Sequence, residues 1–436
     1  MGSSASGGAG AGAAEDDDRF TYCVGSPTWR PQRYIADAEL HARARAHLEQ
    51  DDFYAAIAES FSLAPFNGNA SVADKAKRQD TYVYHAIMSV TLAQVQHAVS
   101  LGRGGDGGNG TLHAWYRDPS PEASQTPRPH PNPPSRQDSD AYVAIFDAAT
   151  ATPAALRGFA ANARKGSVRA AVADHLLAKR YLHPTLPGLQ IPKVKPSKGA
   201  KGKAAPATDP TKDPYNPYLD FAAWSCRNLE WCGPCGLSEA APGAAAGHPV
   251  LPVLMHHFGC ACPSREALEI LKVLAAGRGV IDAGSGGGYW TFMLRQHGLG
   301  PVTAVDSAQS AWRATWVQDT VVDDAARWLR RQRPPGCPDQ VLLVVYPIVG
   351  GGVAGGEEGS FTKGLLRAYA GDTLAIVGTQ NRNGYTSFRG RPMDEYMAAE
   401  QSEWTKVVQI PLPSFPGKDE ALFVFQRGER APKKET

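Results

Sequence analysis

The chain has 436 residues with a formal net charge of +2, 45 glycines and 34 prolines. That length accommodates two or three domains, and a charge so near zero gives no global electrostatic case for nucleic acid or a membrane surface as partner. No run reaches the roughly twenty apolar residues of a spanning helix, the N-terminus lacks the basic start and apolar core of a signal peptide, and an odd count of seven cysteines fits reduced thiols better than a disulfide framework, so the expectation is a soluble, cytoplasmic protein.

Residues 1–19 are Gly/Ala/Ser-rich and end in acid, a composition too poor in apolar surface to offset ordering entropy; they read as a disordered tail. Residues 20–182 read as a mainly helical region, with apolar positions three and four apart over 36–49, 53–58, 81–99 and 141–182. A Gly/Pro-rich linker near 102–140 interrupts it. Residues 183–217 form a Pro/Lys-rich linker; its lysines, Lys193 through Lys212, would attract phosphate, but the run has neither arginine nor interleaved aromatics and reads as a solvated spacer. Segment 218–262 is rich in cysteine and aromatics and leads into the core.

From 263 to 428 helix and strand alternate. Ser264 caps a helix whose Leu268, Ile270, Leu271 and Leu274 face inward. Apolar strands follow at 280–281, 302–306, 341–345 and 373–377, with 407–410 and 421–425 as a terminal pair; 308–330 has a helical bias interrupted near 320–322, and 429–436 is a tail. Continuous apolar runs between helices predict an α/β fold: a doubly wound, mostly parallel, Rossmann-like sheet, with the last strand inserted antiparallel after the loop 411–420.

Within this pattern Asp282, Gly284, Gly286 and Gly288 form an acid-x-Gly-x-Gly-x-Gly turn between a strand and a helix. Glycines there let the backbone turn sharply and bring its N–H groups close to a ligand. Dinucleotide-binding folds use a similar G-x-G-x-x-G. An acid two residues before the first glycine repels a pyrophosphate and suits a cation, and no obvious second nucleotide half follows.

On these residues the stretch from about 255 to 428 resembles the class I methyltransferases that use S-adenosyl-L-methionine. The resemblance implies that the loop, Asp282, Gly284, Ser285, Gly286 and Gly288, holds the methionine end of the cofactor. It also implies that Asp306 binds both ribose hydroxyls and that Asp324 lies near the adenine amine. The flanks resemble a set of eukaryotic methyltransferase-like proteins, in the phrase Phe258-Gly259-Cys260-Ala261-Cys262-Pro263-Ser264, in Gly288-Tyr289-Trp290, and in a tail from Ile410-Pro411 through Phe415-Pro416-Gly417 to Leu422-Phe423-Val424. That resemblance implies no substrate. Nucleobase N-methylating members of the class carry Asn/Asp-Pro-Pro-aromatic after the fourth strand; Val345-Tyr346-Pro347-Ile348 departs from it, which counts against amino-group methylation of a base.

Methyl transfer requires the acceptor, methyl and sulfur in line, so positioning and desolvation supply much of the rate. In this topology the acceptor lies outside the carboxyl ends of the strands. Tyr346 is the candidate catalytic residue there, with Gln380, Asn381, Asn383 and Tyr385 after the fifth strand, and the glycine-rich stretch 350–359 with Glu357 and Glu358 as a lid or an insertion. Cys226, Cys232, Cys235, Cys260 and Cys262 lie near His248, His256 and His257; Cys232-x-x-Cys235 is a zinc half-site, but Cys260-x-Cys262 is tighter than usual, and no metal is assigned. Trp231-Cys232-Gly233-Pro234-Cys235 matches the thioredoxin active-site sequence without the helix that chemistry needs. Two readings result: a methyltransferase whose acceptor, unidentified, is a small molecule in preference to protein or RNA, or a catalytically silent cofactor-binding scaffold.

Overall fold

The computed structural model describes residues 29–63, 81–84, 88–103, 135–194, 214–228, 250–308, 313–351, 356–415 and 418–433. The tail expected over 1–19, most of the linker near 102–140, most of the lysine run, and Cys232 with Cys235 lie outside these residues.

The N-terminal region contains α1 (Pro31–Ala36), α2 (Ala38–Glu49), α3 (Phe53–Ser60), β1 (Thr81–Tyr84), β2 (Met88–Thr91), α4 (Leu92–Arg103), α5 (Arg136–Val143), α6 (Thr152–Ala161), α7 (Val168–Lys179) and β3 (Tyr181–Leu182). Local chemistry starts several of these helices: Asp37, Asp52, Ser135 and Ser167 each accept a backbone N–H from the first turn. The helix expected over 81–99 begins only at Leu92. Before it, β1 and β2 pair antiparallel, Thr81 opposite Thr91 and Tyr84 opposite Met88. Thr81, Val83, Val90 and Thr91 are β-branched and Tyr82 and Tyr84 aromatic, types that fit a pleated surface better than a helix. Likewise α7 stops at Lys179, and Tyr181–Leu182 becomes a strand where helix was expected.

The remaining elements are α8 (Pro217–Asn228), α9 (Leu251–His257), α10 (Arg265–Ala275), β4 (Val280–Ala283), α11 (Tyr289–Gln296), β5 (Val302–Asp306), β6 (Val321–Val322), α12 (Ala325–Arg331), β7 (Val341–Val345), α13 (Ser360–Ala368), β8 (Thr373–Thr379), α14 (Met393–Glu400), β9 (Thr405–Pro411) and β10 (Glu420–Gln426). Eight strands form one sheet in the order β3-β9-β10-β8-β7-β4-β5-β6. Strands β4 to β8 pair in parallel, while β10 runs antiparallel between β8 and β9, as the sequence predicts. Among the described residues of 308–330 the helical bias yields a helix only at α12; β-branched Val321 and Val322 instead extend the sheet beside Val305 and Asp306.

Both sheet faces are apolar, so both are covered. Leu422 and Val424 face one core with Val280, Leu343 and Ala375, and Ala421, Phe423 and Phe425 face the other with Ile281, Leu342 and Ile376. The first core is not confined to the sheet domain: Trp29, Tyr34, Phe53, Phe61, Tyr82 and Leu92 belong to it. A second tie is ionic, for Arg180, just after α7, donates to both carboxylate oxygens of Glu266 in the first turn of α10, with side chains 10% and 7% exposed. Cutting one partner from a buried pair leaves the other charge uncompensated. Arg180→Ala is therefore expected to destabilise the chain by about 3 kcal/mol, read as a lower guanidinium midpoint. An unchanged midpoint would show that the pair is not a structural tie.

Candidate active site

Chain direction makes a crevice at β4, since β5 and β6 follow to one side of it and β7 and β8 to the other. After β4 the backbone turns through Gly284, Gly286 and Gly288 with φ of 78°, 56° and 79°, and α11 begins at Tyr289. Gly287 is required for a different reason: a Cβ there would stand 2.4 Å from the carbonyl oxygen of Ala314. Gly284 and Ser285 both donate to the carbonyl of Val305, at 2.8 and 3.2 Å.

Gly286 reaches the second strand, its N–H donating to Asp306 Oδ2 at 2.9 Å while Ala308 N–H donates to Oδ1 at 2.7 Å. A carboxylate has about four lone-pair sites, so these two donors leave Asp306 able to accept a vicinal diol. The hydroxyl of Ser285 is buried without a hydrogen-bond partner. An orphaned polar group beside a glycine cradle fits a polar ligand.

Asp282 lies beneath the loop rather than in it. It is 0% exposed; Oδ2 accepts the Thr291 hydroxyl at 2.7 Å, and Oδ1 is buried without a partner. Burial pushes its carboxyl up to about 7, against the Thr291 hydrogen bond and with added repulsion from Asp306. Its visible work is to anchor α11 through Thr291. Asp324 is exposed and caps α12, accepting Arg327 N–H at 2.7 Å. Its neighbour Asp323 is nearer the loop, with its N–H donating to the Asp306 carbonyl at 3.0 Å. Asp282, the glycines, Ser285 and Asp306 thus form one cluster, with Asp324 at its margin.

A strap after β5 covers the loop. Trp316 N–H donates to Gly287 O at 2.7 Å, its indole to His257 O at 2.6 Å, and Ala314 N–H to His256 O at 2.9 Å. Arg295 of α11 holds the strap's end by two bonds of 2.9 Å to Asp319. Arg313 at the strap's start lies against Gly286 and donates to Cys260 Sγ at 3.4 Å, while Phe361 of α13 lies against Gly284. Neither Arg313 nor Phe361 stands out in sequence, because nothing local marks which residue of a connecting segment meets the loop.

On the acceptor side, Tyr346 follows β7 with φ of 55°, a strained conformation for a residue with a Cβ, and donates its N–H to Val377 O at 2.7 Å. Around the end of β8, Gln380 bonds Asp419 at 2.9 Å, Asp419 bonds His175 at 2.8 Å, and Asn383 bonds the Lys418 carbonyl at 3.0 Å. Lys418 Nζ stands 3.2 Å from the Tyr385 ring centroid. Glu420 accepts the Ser414 hydroxyl and Phe415 N–H, and its Oε1 is buried without a partner. Burial lowers the Lys418 amine and raises the Glu420 carboxyl, each opposing the other's shift. Lys-Asp-Glu in a hairpin loop reads as solvated, which is why sequence missed this buried pair.

Among the described residues no group of three or more His, Cys, Asp and Glu is arranged to hold a metal, and no helix is long and apolar enough to cross a membrane. His257 stacks on Phe61 at 3.8 Å and bonds Tyr82 at 2.9 Å, a packing role.

Parallel strands ordered by this switch at β4, an antiparallel β10 beside β8, and a glycine loop tied to the acid of the next strand define the fold of the class I S-adenosylmethionine-dependent methyltransferases. No protein-family model and no curated protein matches the chain. Among solved structures, it is similar to a SAM-dependent methyltransferase from Agrobacterium tumefaciens, at 16% identity over 37% of this chain and 60% of that one, with a TM-score of 0.25. A candidate SAM-dependent methyltransferase from Streptococcus mutans matches at 12% identity over 37% of this chain and 47% of that one, TM-score 0.27. The 1,6-didemethyltoxoflavin-N1-methyltransferase of Burkholderia thailandensis, solved with S-adenosylhomocysteine, matches at 16% identity over 38% of this chain and 78% of that one, TM-score 0.27. The chain spans about half to three fifths of the length of the first two.

The buried acid gives a signed pH dependence. From about pH 4 to 7 the unfolded chain has released the Asp282 proton and the folded chain retains it, so stability attributable to this group falls as pH rises through that window. Asp282→Asn removes the effect. The stability of the wild type relative to this variant is expected to drop by on the order of 2 kcal/mol between pH 5 and pH 8 in urea unfolding, and a pH-independent difference would refute the assignment.

Proposed function

We propose that the chain is an S-adenosylmethionine-dependent methyltransferase that passes the sulfonium methyl group in line to a small-molecule acceptor. The hydrogen bond from Gly286 to Asp306 carries this reading, because it sets glycine-loop amides beside a carboxylate with spare acceptor capacity at the carboxyl edge of the sheet. The cofactor, when bound, supplies an electrophilic methyl on a cationic sulfur. In this reading Asp306 accepts the ribose hydroxyls, Gly284, Ser285, Gly286 and Gly288 line the amino-acid end, Asp282 supports the loop from below, and Asp324 serves the adenine amine. Tyr346 lines the acceptor side, where its strained backbone fixes its direction. Cys260 and Cys262 without a disulfide support a cytoplasmic setting.

Calorimetric titration of the full chain with S-adenosylhomocysteine is expected to show saturable binding, weakened at least about tenfold by Asp306→Ala, since hydrogen bonds to a charged group contribute about 1.5–3 kcal/mol. No heat from folded wild-type protein would overturn the reading. Transfer of label from methyl-labelled S-adenosylmethionine to pooled small molecules then separates an enzyme from a silent binder.

A further inference from the structure

We infer that Glu420 is the base of the acceptor site, its Oε1 taking the proton of a hydroxyl or amine acceptor as the methyl group transfers. The inference rests on the methyltransferase reading above and names the acceptor class that it leaves open. The first observation is an open oxygen. Glu420 Oε2 accepts the Ser414 hydroxyl and, at 3.3 Å, the Phe415 N–H, while Oε1 is buried with no hydrogen-bond partner among the described residues. Leaving a buried carboxylate oxygen unbonded costs more than an ordinary hydrogen bond gains. A glutamine carbonyl would serve Ser414 and Phe415 equally, so those contacts do not call for the second oxygen of an acid.

Place supplies the second observation. Glu420 opens β10 in register with Thr379 at the carboxyl end of β8, and on the other side of β8 lies β7, which Tyr346 follows. The acid and the tyrosine therefore stand one strand apart along the edge where the topology puts an acceptor. Glu420 N–H donates to Ser414 Oγ at 3.1 Å and Leu412 N–H to Glu420 O at 2.9 Å, which fixes the stem of the side chain. Alternation puts that side chain on the sheet face of Leu422 and Val424, the face that Val280 at the start of β4 shares. The neighbours reach back to the glycine loop: Cys260 accepts from Arg313 beside Gly286, and its thiol lies close enough to Lys418 to help hold up the amine that burial lowers and Glu420 supports.

The third observation is proton affinity. Burial raises the Glu420 carboxyl; the Ser414 hydroxyl and the Lys418 amine oppose the rise, and Asp419 adds to it. Tyr218, Cys262 and Tyr385 are the further titratable groups in its field, each pushed up by its own burial and then by this acid. A base works best when its proton affinity lies near the working pH. Lys418 and Tyr385, both borne on loops, swing aside to admit the acceptor. As the acceptor's oxygen or nitrogen bonds to the methyl carbon, the carbon–sulfur bond breaks with its electron pair on sulfur, and the acceptor's proton passes to Oε1 and later to solvent.

Label transfer from methyl-labelled S-adenosylmethionine to a pooled small-molecule extract, native or exhaustively acetylated, tests this on the full chain. Acetylation caps hydroxyls and amines, so wild-type transfer is expected to fall at least about tenfold; undiminished transfer refutes the acceptor class and needs no variant to fold. Glu420→Gln is expected to slow transfer to the native pool at least about a hundredfold with S-adenosylhomocysteine affinity kept within about twofold, and Glu420→Asp to restore part of the rate. An unchanged rate in Glu420→Gln refutes the base, and so does a parallel loss of S-adenosylhomocysteine affinity, which marks a structural role. Infrared difference spectra between about pH 6 and pH 10 are expected to show a protonated carboxyl band that Glu420→Gln lacks, and spectra identical in the two proteins refute proton exchange at this residue. Wild-type protein that binds S-adenosylhomocysteine and labels neither pool refutes the enzyme reading itself, and the base with it.

Discussion

The amide of Gly286 donating to the carboxylate of Asp306 joins the turn after one strand to the end of the next, and the form of the carboxyl edge follows from it. Asp306 is also in register with Val322 and takes the Asp323 N–H on its carbonyl, so the loop, β5 and β6 are tied together at this residue. Charge assistance makes such a bond shorter and stronger than a neutral one. The bond adds to those of Gly284 and Ser285 to the Val305 carbonyl and is the one that ties Gly286 to an acidic side chain.

The N-terminal region meets the glycine loop's surroundings at Trp316. Trp316, whose backbone binds Gly287, packs against Tyr289 at 4.6 Å, Phe292 at 5.1 Å, Trp29 at 5.2 Å and Phe258 at 5.8 Å. Aromatic pairs at such separations contribute beyond the area they bury. Trp29 and Tyr34 come from the start of the described chain, Phe258 from the segment before α10, and Tyr289 from the helix after the loop. The helical region is therefore a structural partner of the glycine loop and shares its core.

Much of the sheet domain was legible in sequence because its signals are strong and local. Five-residue apolar runs such as Val341–Val345 admit few other readings, Ser264 marks its helix, and the spaced glycines with Asp306 declare a turn and its partner acid. What stayed hidden was short or non-local. Tyr181–Leu182 and Val321–Val322 are two-residue strands that exist only because a neighbour offers its backbone. The 81–91 hairpin lost to a helical period that truly begins at Leu92. Lys418 and Glu420 looked like loop charges because burial comes from chain brought in from elsewhere, with Tyr385 and Ser414 as partners. Arg313 carried no motif at all.

The strand Tyr181–Leu182 has a consequence beyond topology. It pairs with Gln409 and Val408 on the outer side of β9, and at the opposite margin β6 is only two residues long. An open strand edge is a template for pairing with another chain, and proteins blunt such edges by covering or shortening them. Here the N-terminal region covers one margin and brevity limits the other. A fragment cut to the methyltransferase-like portion would expose the full outer backbone of β9, with Val407, Val408 and Ile410 in a strongly apolar strand. The region before the sheet domain thus covers, through Tyr181–Leu182, part of the margin that β9 would otherwise present.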